Sequence, residues 1–107
     1  QKAERVVCGP SLAEVQTAQY VAWCVGSRVC IEPGLAEAGV CLRGPVPSAR
    51  QRSAYHPSVD ASHAPCTQEA VDEETFMECL PRAVDAAWRL SETVRKGECV
   101  IVVACPA

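Results

Sequence analysis

Eight cysteines in a chain of 107 residues are the feature that most limits how this sequence can fold. Their number is even, and no two are separated by the two residues typical of zinc knuckles and redox-active motifs. Thiols used this densely are typical of oxidising compartments, where they pair. We therefore predict four disulfides, no metal site and a secreted, extracellular protein, and the spacing leaves the pairing open. The predicted half-cystines are Cys8, Cys24, Cys30, Cys41, Cys66, Cys79, Cys99 and Cys105.

Length and composition favour one small domain over residues 1–107. Apolar residues make up 49% of the chain, but the aromatic share is only 5%, and Ala, Val and Cys dominate the rest. A core of small side chains buries little area per residue, so cross-links would add stability that packing does not supply. No apolar run is long enough to span a membrane. The net charge of −3 argues against a nucleic-acid partner, which requires a basic face. Composition does not indicate an oligomeric state.

The first third of the chain carries clear signals for a strand and a helix. Residues 4–8 are short and rich in β-branched side chains, and a Gly-Pro breaker follows them. Ser11 and Glu14 form a capping-box pattern, apolar residues then recur at helical spacing, and Gly26 supplies a stop. These signals predict a helix over 12–25.

The rest of the chain offers three further strands and a second helical region. Short β-forming runs at 28–31 and 40–43 flank turn residues and predict a hairpin. Apolar spacing and paired charges predict helices near 68–79 and 82–96, divided at Pro81 because proline lacks a backbone donor.

The chain ends in an almost unbroken β-forming run, residues 98–105, which completes a β-α-β-β-α-β order. This order predicts an α/β sandwich of the ferredoxin-like, split βαβ type. Two helices would cover one face of a four-stranded antiparallel sheet. Trp23 and Trp88, one per helix, are expected to meet in the core between helices and sheet. The alternative, an all-α disulfide-rich fold, would require the Val- and Ile-rich terminal run to be helical.

Residues 44–65 are rich in Pro, Ser and Gly and predict a long irregular loop. A loop of this length is uncommon in a compact domain unless it has a function, and loops often carry binding residues. The candidate binding residues of this loop are Arg50, Arg52, Tyr55, His56 and His63.

The two histidines also support an enzymatic alternative. With Asp60 between them they could bind a metal, or they could act as general acid and base on a phosphodiester. A small secreted nuclease would need a carboxylate and an arginine as well, from Glu32 or Glu69 and from Arg50 or Arg52. The Pro-rich surroundings favour solvated histidines, so we predict no catalytic residues, no cofactor and no enzyme activity.

The chain resembles the killer-toxin-like small secreted proteins of fungi, including effectors of plant-pathogenic fungi. The length, the eight half-cystines and the order of strands and helices carry the resemblance, and no motif does. It implies a secreted, non-enzymatic protein that acts on a component of a host or competitor surface. The alternative is the secreted nuclease or metal-dependent hydrolase that uses His56 and His63.

Overall fold

The first strand and helix form where their local signals place them. The computed structural model describes residues 5–36, 46–67 and 75–104. Strand β1 covers Arg5–Cys8 and helix α1 covers Leu12–Val25. The Ser11 hydroxyl accepts the backbone N–H of Glu14 at the start of α1, and Gly26 ends the helix in the left-handed conformation, with φ 69°. The predicted helix over 12–25 is confirmed.

The sheet is parallel and three-stranded over the described residues, so the prediction of a four-stranded antiparallel sheet is wrong. Strand β2 covers Val29–Ile31 and strand β3 covers Val100–Val103, and the strand order is β2-β1-β3. Both neighbours pair with β1 in parallel. Parallel neighbours require a crossover, and helices lie between consecutive strands along this chain. The predicted strand at 40–43, with its hairpin, lies outside the described residues.

Helices cover both faces of the sheet, which corrects the expected packing of two helices on one face. Val6 faces α1 in a cluster with Val15 and Ala18. Val7, the next residue of β1, points to the opposite face and packs with Leu90. Alternate side chains of a strand point to opposite faces, so a central strand that is apolar throughout requires cover on both.

Within the described residues, the helical region after the long loop is one helix, α3, over Phe76–Thr93, and positions 68–74 of the predicted helix near 68–79 lie outside them. Pro81 lies inside α3, so the predicted break at this residue is wrong. A short 3₁₀ helix, Pro33–Leu35, is the surface on which α3 rests. The guanidinium of Arg82 donates to the carbonyls of Gly34 and Ala36, both at 2.8 Å.

Part of the predicted irregular loop 44–65 has regular structure. Helix α2 covers Ala49–Tyr55 and begins with a complete capping box between Ser48 and Gln51. The segment after α2 runs parallel to β2 at the sheet edge, where Val29 donates to the carbonyl of Ser58 at 2.8 Å. Val59 is buried there, so the segment contributes to the core.

None of the six cysteines in the described part of the chain forms a disulfide, which overturns the predicted framework of four bridges. Cys8, Cys30 and Cys79 are buried, and a free thiol in a protein interior behaves as a small apolar side chain. Cys41 and Cys105 lie outside the described residues. The prediction of secretion rested on paired cysteines and gains no support from these six.

The two tryptophans lie on the surface, so the expectation that they meet in the core is wrong. Trp23 is 78% exposed and Trp88 is 67% exposed. Alanines take the buried positions instead: Ala18 and Ala22 of α1 pack against the sheet, and Ala86 of α3 lies close to Gly34 of the 3₁₀ helix. Small residues on α1 let this helix approach the strands closely. No helix in the described residues is long and apolar enough to cross a bilayer, in agreement with the prediction of no transmembrane segment.

Candidate active site at the carboxyl edge of the sheet

Polar side chains gather where the parallel strands end. Glu32 follows β2 directly, and its backbone N–H donates to the carbonyl of Cys8, the last residue of β1, at 2.8 Å. Ligands of parallel α/β sheets bind in the crevice outside the carboxyl ends of the strands. The residues around Glu32 are therefore the first place to look for a site.

Glu32 is a carboxylate buried to 1% exposure and held by several donors. Its Oε1 accepts the backbone N–H groups of Cys66 at 3.0 Å and Thr67 at 3.1 Å, and the Thr67 hydroxyl at 2.7 Å. A buried charge is tolerated when hydrogen bonds and a partner replace its water. This arrangement fixes the position of both carboxylate oxygens.

The second oxygen of Glu32 contacts the imidazole of His63. His63 Nε2 lies 2.5 Å from Glu32 Oε2, and the His63 side chain is 17% exposed. We assign the proton of this contact to Nε2, because a carboxylate can only accept; in the neutral ring, Nδ1 is then the nitrogen that can accept a proton. Nδ1 makes no hydrogen bond to any described residue. An acidic partner that fixes the tautomer of a histidine is the arrangement found in acid–base catalysis.

A tight turn places His63 beside Glu32. Asp60 Oδ1 accepts the backbone N–H of Ser62 at 3.0 Å and the Ser62 hydroxyl at 2.6 Å. These hydrogen bonds from Ser62 are the main reason that the pKa of Asp60 is lowered, and the charges of Arg28 and His63 lower it further. The backbone N–H of His63 donates to the Asp60 carbonyl at 3.3 Å and closes the turn.

The end of β1 carries a thiol that the fold keeps protonated. Burial first, and the Glu14 carboxylate second, raise the pKa of Cys8 to about 12. Arg52 acts in the opposite direction, and its guanidinium donates to the carbonyl of Pro10 at 3.0 Å. Cys8 is therefore not available as a thiolate nucleophile at neutral pH.

The five residues predicted to form one binding loop do not form one cluster. Arg50 and Tyr55 project from α2, and Tyr55 is 85% exposed. Arg52 reaches the loop after β1, and His56 ends α2, where its backbone N–H donates to the Arg52 carbonyl. His63 alone of the five contacts Glu32.

Sequence reasoning named Glu32 only as one of two carboxylates for a nuclease and missed Thr67. Glu32 lies 31 positions before His63, so no local spacing joins the two residues. A usable signal was the position of Glu32 directly after a β-forming run, since polar residues at strand ends tend to line sites in α/β sheets.

Neither a metal site nor a relative adds to this picture. Within the described ranges, no group of three or more His, Cys, Asp or Glu side chains could hold a metal ion. No family model, curated protein or solved structure matches the chain. The resemblance to killer-toxin-like proteins stays a prediction.

Proposed function

We propose that this protein is an acid–base hydrolase in which His63 is the general base and Glu32 orients it. The observation that carries the proposal is the 2.5 Å contact between His63 Nε2 and the buried Glu32 carboxylate. Ion pairs with a purely structural role are usually exposed and contribute little to stability. The Glu32 carboxylate is instead bound by Cys66 and Thr67, and its contact with His63 leaves the other imidazole nitrogen without a hydrogen bond to a described residue.

The geometry supports a simple proton-transfer sequence. His63 Nδ1 removes a proton from water while the water oxygen attacks the carbonyl or phosphoryl centre of the substrate. The resulting imidazolium, stabilised by the Glu32 carboxylate, then returns the proton to the leaving group as its bond to that centre breaks. Water is the only co-reactant, and the histidine ends the cycle in its starting state.

His56 provides a matched control for the catalytic test. Purified protein is assayed on p-nitrophenyl esters, bis(p-nitrophenyl) phosphate and RNA, followed by H63A, H56A and E32Q. We expect H63A to lower kcat by about 10²–10⁴-fold, the usual contribution of a general base. We expect E32Q to lower kcat less and H56A to leave it within about twofold of the parent, because His56 has no contact with Glu32 among the described residues. Absence of turnover on the whole panel, or an H63A enzyme as active as the parent, would overturn the proposal.

The tautomer offers a second readout that does not depend on choosing the right substrate. Long-range ¹H–¹⁵N NMR of the His63 ring at neutral pH should show the proton on Nε2, and E32Q should disturb this preference. A ring protonated at Nδ1 in the parent would contradict the assigned roles.

A second candidate is the predicted interaction protein that binds a host or competitor component. The exposure of Arg50 and Tyr55 on α2 supports it, because exposed tyrosines and arginines are enriched in interface hot spots. Replacing both residues by Ala should abolish biological activity in that case and leave hydrolysis unchanged. Biological activity that survives this change but is lost in H63A would favour the enzyme.

A further inference from the structure

Helix α3 presents to solvent a continuous apolar face that the fold does not use. Met77 and Val84 are each 69% exposed, and Leu80 is 43% exposed. With Trp88 they recur at three- and four-residue spacing, which places them on one side of a helix. Together they line a shallow groove formed by Met77, Leu80, Pro81, Val84, Asp85 and Trp88.

Among the described residues, the opposite side of α3 makes the contacts that hold the helix on the domain. Cys79, Ala86 and Leu90 are buried, and Arg82 donates to the carbonyls of the 3₁₀ helix. Exposed apolar residues are normal when scattered singly, but a contiguous patch on one helix face marks an interaction surface. We call this groove the α3 face, and its contiguous exposed apolar residues indicate an interaction surface.

The pattern of the α3 face is complementary to itself in an antiparallel arrangement. A two-fold axis crossing α3 between residues 82 and 83 places position i of one copy opposite position 165 − i of the other. Met77 then lies opposite Trp88 of the second copy, and this contact occurs twice. A methionine sulfur against an aromatic ring is a favourable pair. Pro81 and Val84 likewise lie opposite each other near the axis.

The charged residues beside the groove favour the same arrangement. Glu78, Asp85 and Arg89 lie on one flank of the α3 face at 100° per residue, and Arg89 contacts Asp85 at 2.8 Å. In the antiparallel pair these flanks meet, and Glu78 comes within about two residues, or roughly 3 Å along the axis, of Arg89 of the second copy. Each arginine would then lie between two carboxylates. A parallel two-fold pair would instead place these flanks on opposite sides of the interface, so the charge pairs would not form.

We propose that the protein forms a symmetric dimer in which the α3 face of one copy packs antiparallel on that of a second copy. A single helix face per copy is at the small end of specific interfaces, so we expect a dissociation constant on the order of micromolar. The proposal does not rest on the hydrolase activity, because the α3 face contains neither His63 nor Glu32.

The test compares two tryptophans of similar exposure. Sedimentation velocity of the full chain, from low micromolar to several hundred micromolar, should show a concentration-dependent dimer. W88E should remain monomeric throughout, whereas W23E, on α1, should dimerise like the parent. A monomeric parent at every concentration would overturn the proposal, and so would a dimer that W88E leaves intact or that W23E disrupts.

Charge exchange tests the antiparallel register. E78R alone should weaken the dimer by about three- to tenfold, because it places an arginine beside Arg89 of the second copy. The double variant E78R/R89E should regain most of this loss. Circular dichroism checks that each variant keeps its helix content. A dissociation constant that does not change with E78R would refute the register.

Discussion

Truncation of Glu32 should be among the most destabilising single changes in this protein. Glu32→Ala removes the acceptor for the Cys66 and Thr67 N–H groups and for the Thr67 hydroxyl, all of which are held in the interior beside it. It also leaves the His63 ring without its partner. Removing one member of a buried charge pair typically costs about 3–5 kcal/mol. This is a large share of the total stability of a domain of this size, about 5–15 kcal/mol.

The assay is urea unfolding followed by far-UV circular dichroism, with Glu32→Gln as the graded control. The glutamine oxygen can still accept from Thr67, so only the charge-assisted part of the network is lost, and the cost should fall to about 1.5–3 kcal/mol. If Glu32→Ala does not fold, the glutamine variant still gives a measurable free energy of unfolding. A free energy of unfolding for Glu32→Ala within about 0.5 kcal/mol of the parent, the usual range of a surface substitution, would refute the reasoning.

Three further predictions concern packing and the thiols. A Cβ on Gly34 would lie 2.5 Å from the Cβ of Thr67 and 3.0 Å from that of Ala86, so Gly34→Ala should cost about 1–3 kcal/mol in urea unfolding. The pKa of Cys8 is raised from 9.0 to about 12, so the folded state favours the protonated thiol. The resulting contribution to the free energy of unfolding, up to about 4 kcal/mol, is fully present below pH 9. It should be lost as the pH rises through 12, and the loss should be absent from the alkaline unfolding curve of Cys8→Ala. In native protein, maleimide should label the exposed Cys24 and spare Cys8, and peptide mapping locates the label.

Local signals in the sequence were sufficient for α1 and for the positions of the three described strands. Ser11 and Gly26 each act on the backbone within a few residues, so the ends of α1 can be read directly. Strand direction is different, because it depends on partners distant in sequence. Residues 100–103 pair with β1 almost a full chain length away. An apolar run typical of a strand covered on both faces fits either a central antiparallel strand or a parallel one.

Helix α2 was missed although its signal was present. Ser48 and Gln51 have the spacing of a capping box, and both reciprocal hydrogen bonds form. The prolines and serines on either side led to the prediction of a loop, because composition over 20 residues outweighed a four-residue motif. Pro81 led to the opposite error, because a break was predicted there and α3 continues through it.

The cysteines show why the count alone was an unsafe guide. A three-stranded sheet covered on both faces needs small apolar side chains where helix and strand approach, and Cys8 and Cys30 fill such positions beside alanines and valines. A thiol serves this packing as well as an alanine does, and does so without pairing. Burial accounts in this way for Cys8 and Cys30, so an even count does not by itself indicate that they pair.

A chain of hydrogen bonds joins α3 to the candidate active site. Arg82 donates to the carbonyl of Gly34, and the N–H of Gly34 donates to the Thr67 hydroxyl at 2.9 Å. That hydroxyl donates in turn to Glu32, which holds His63. Each of these hydrogen bonds is buried or half-buried, so water would not replace one that is lost. Helix α3 therefore helps to fix the backbone on which the Glu32 carboxylate depends.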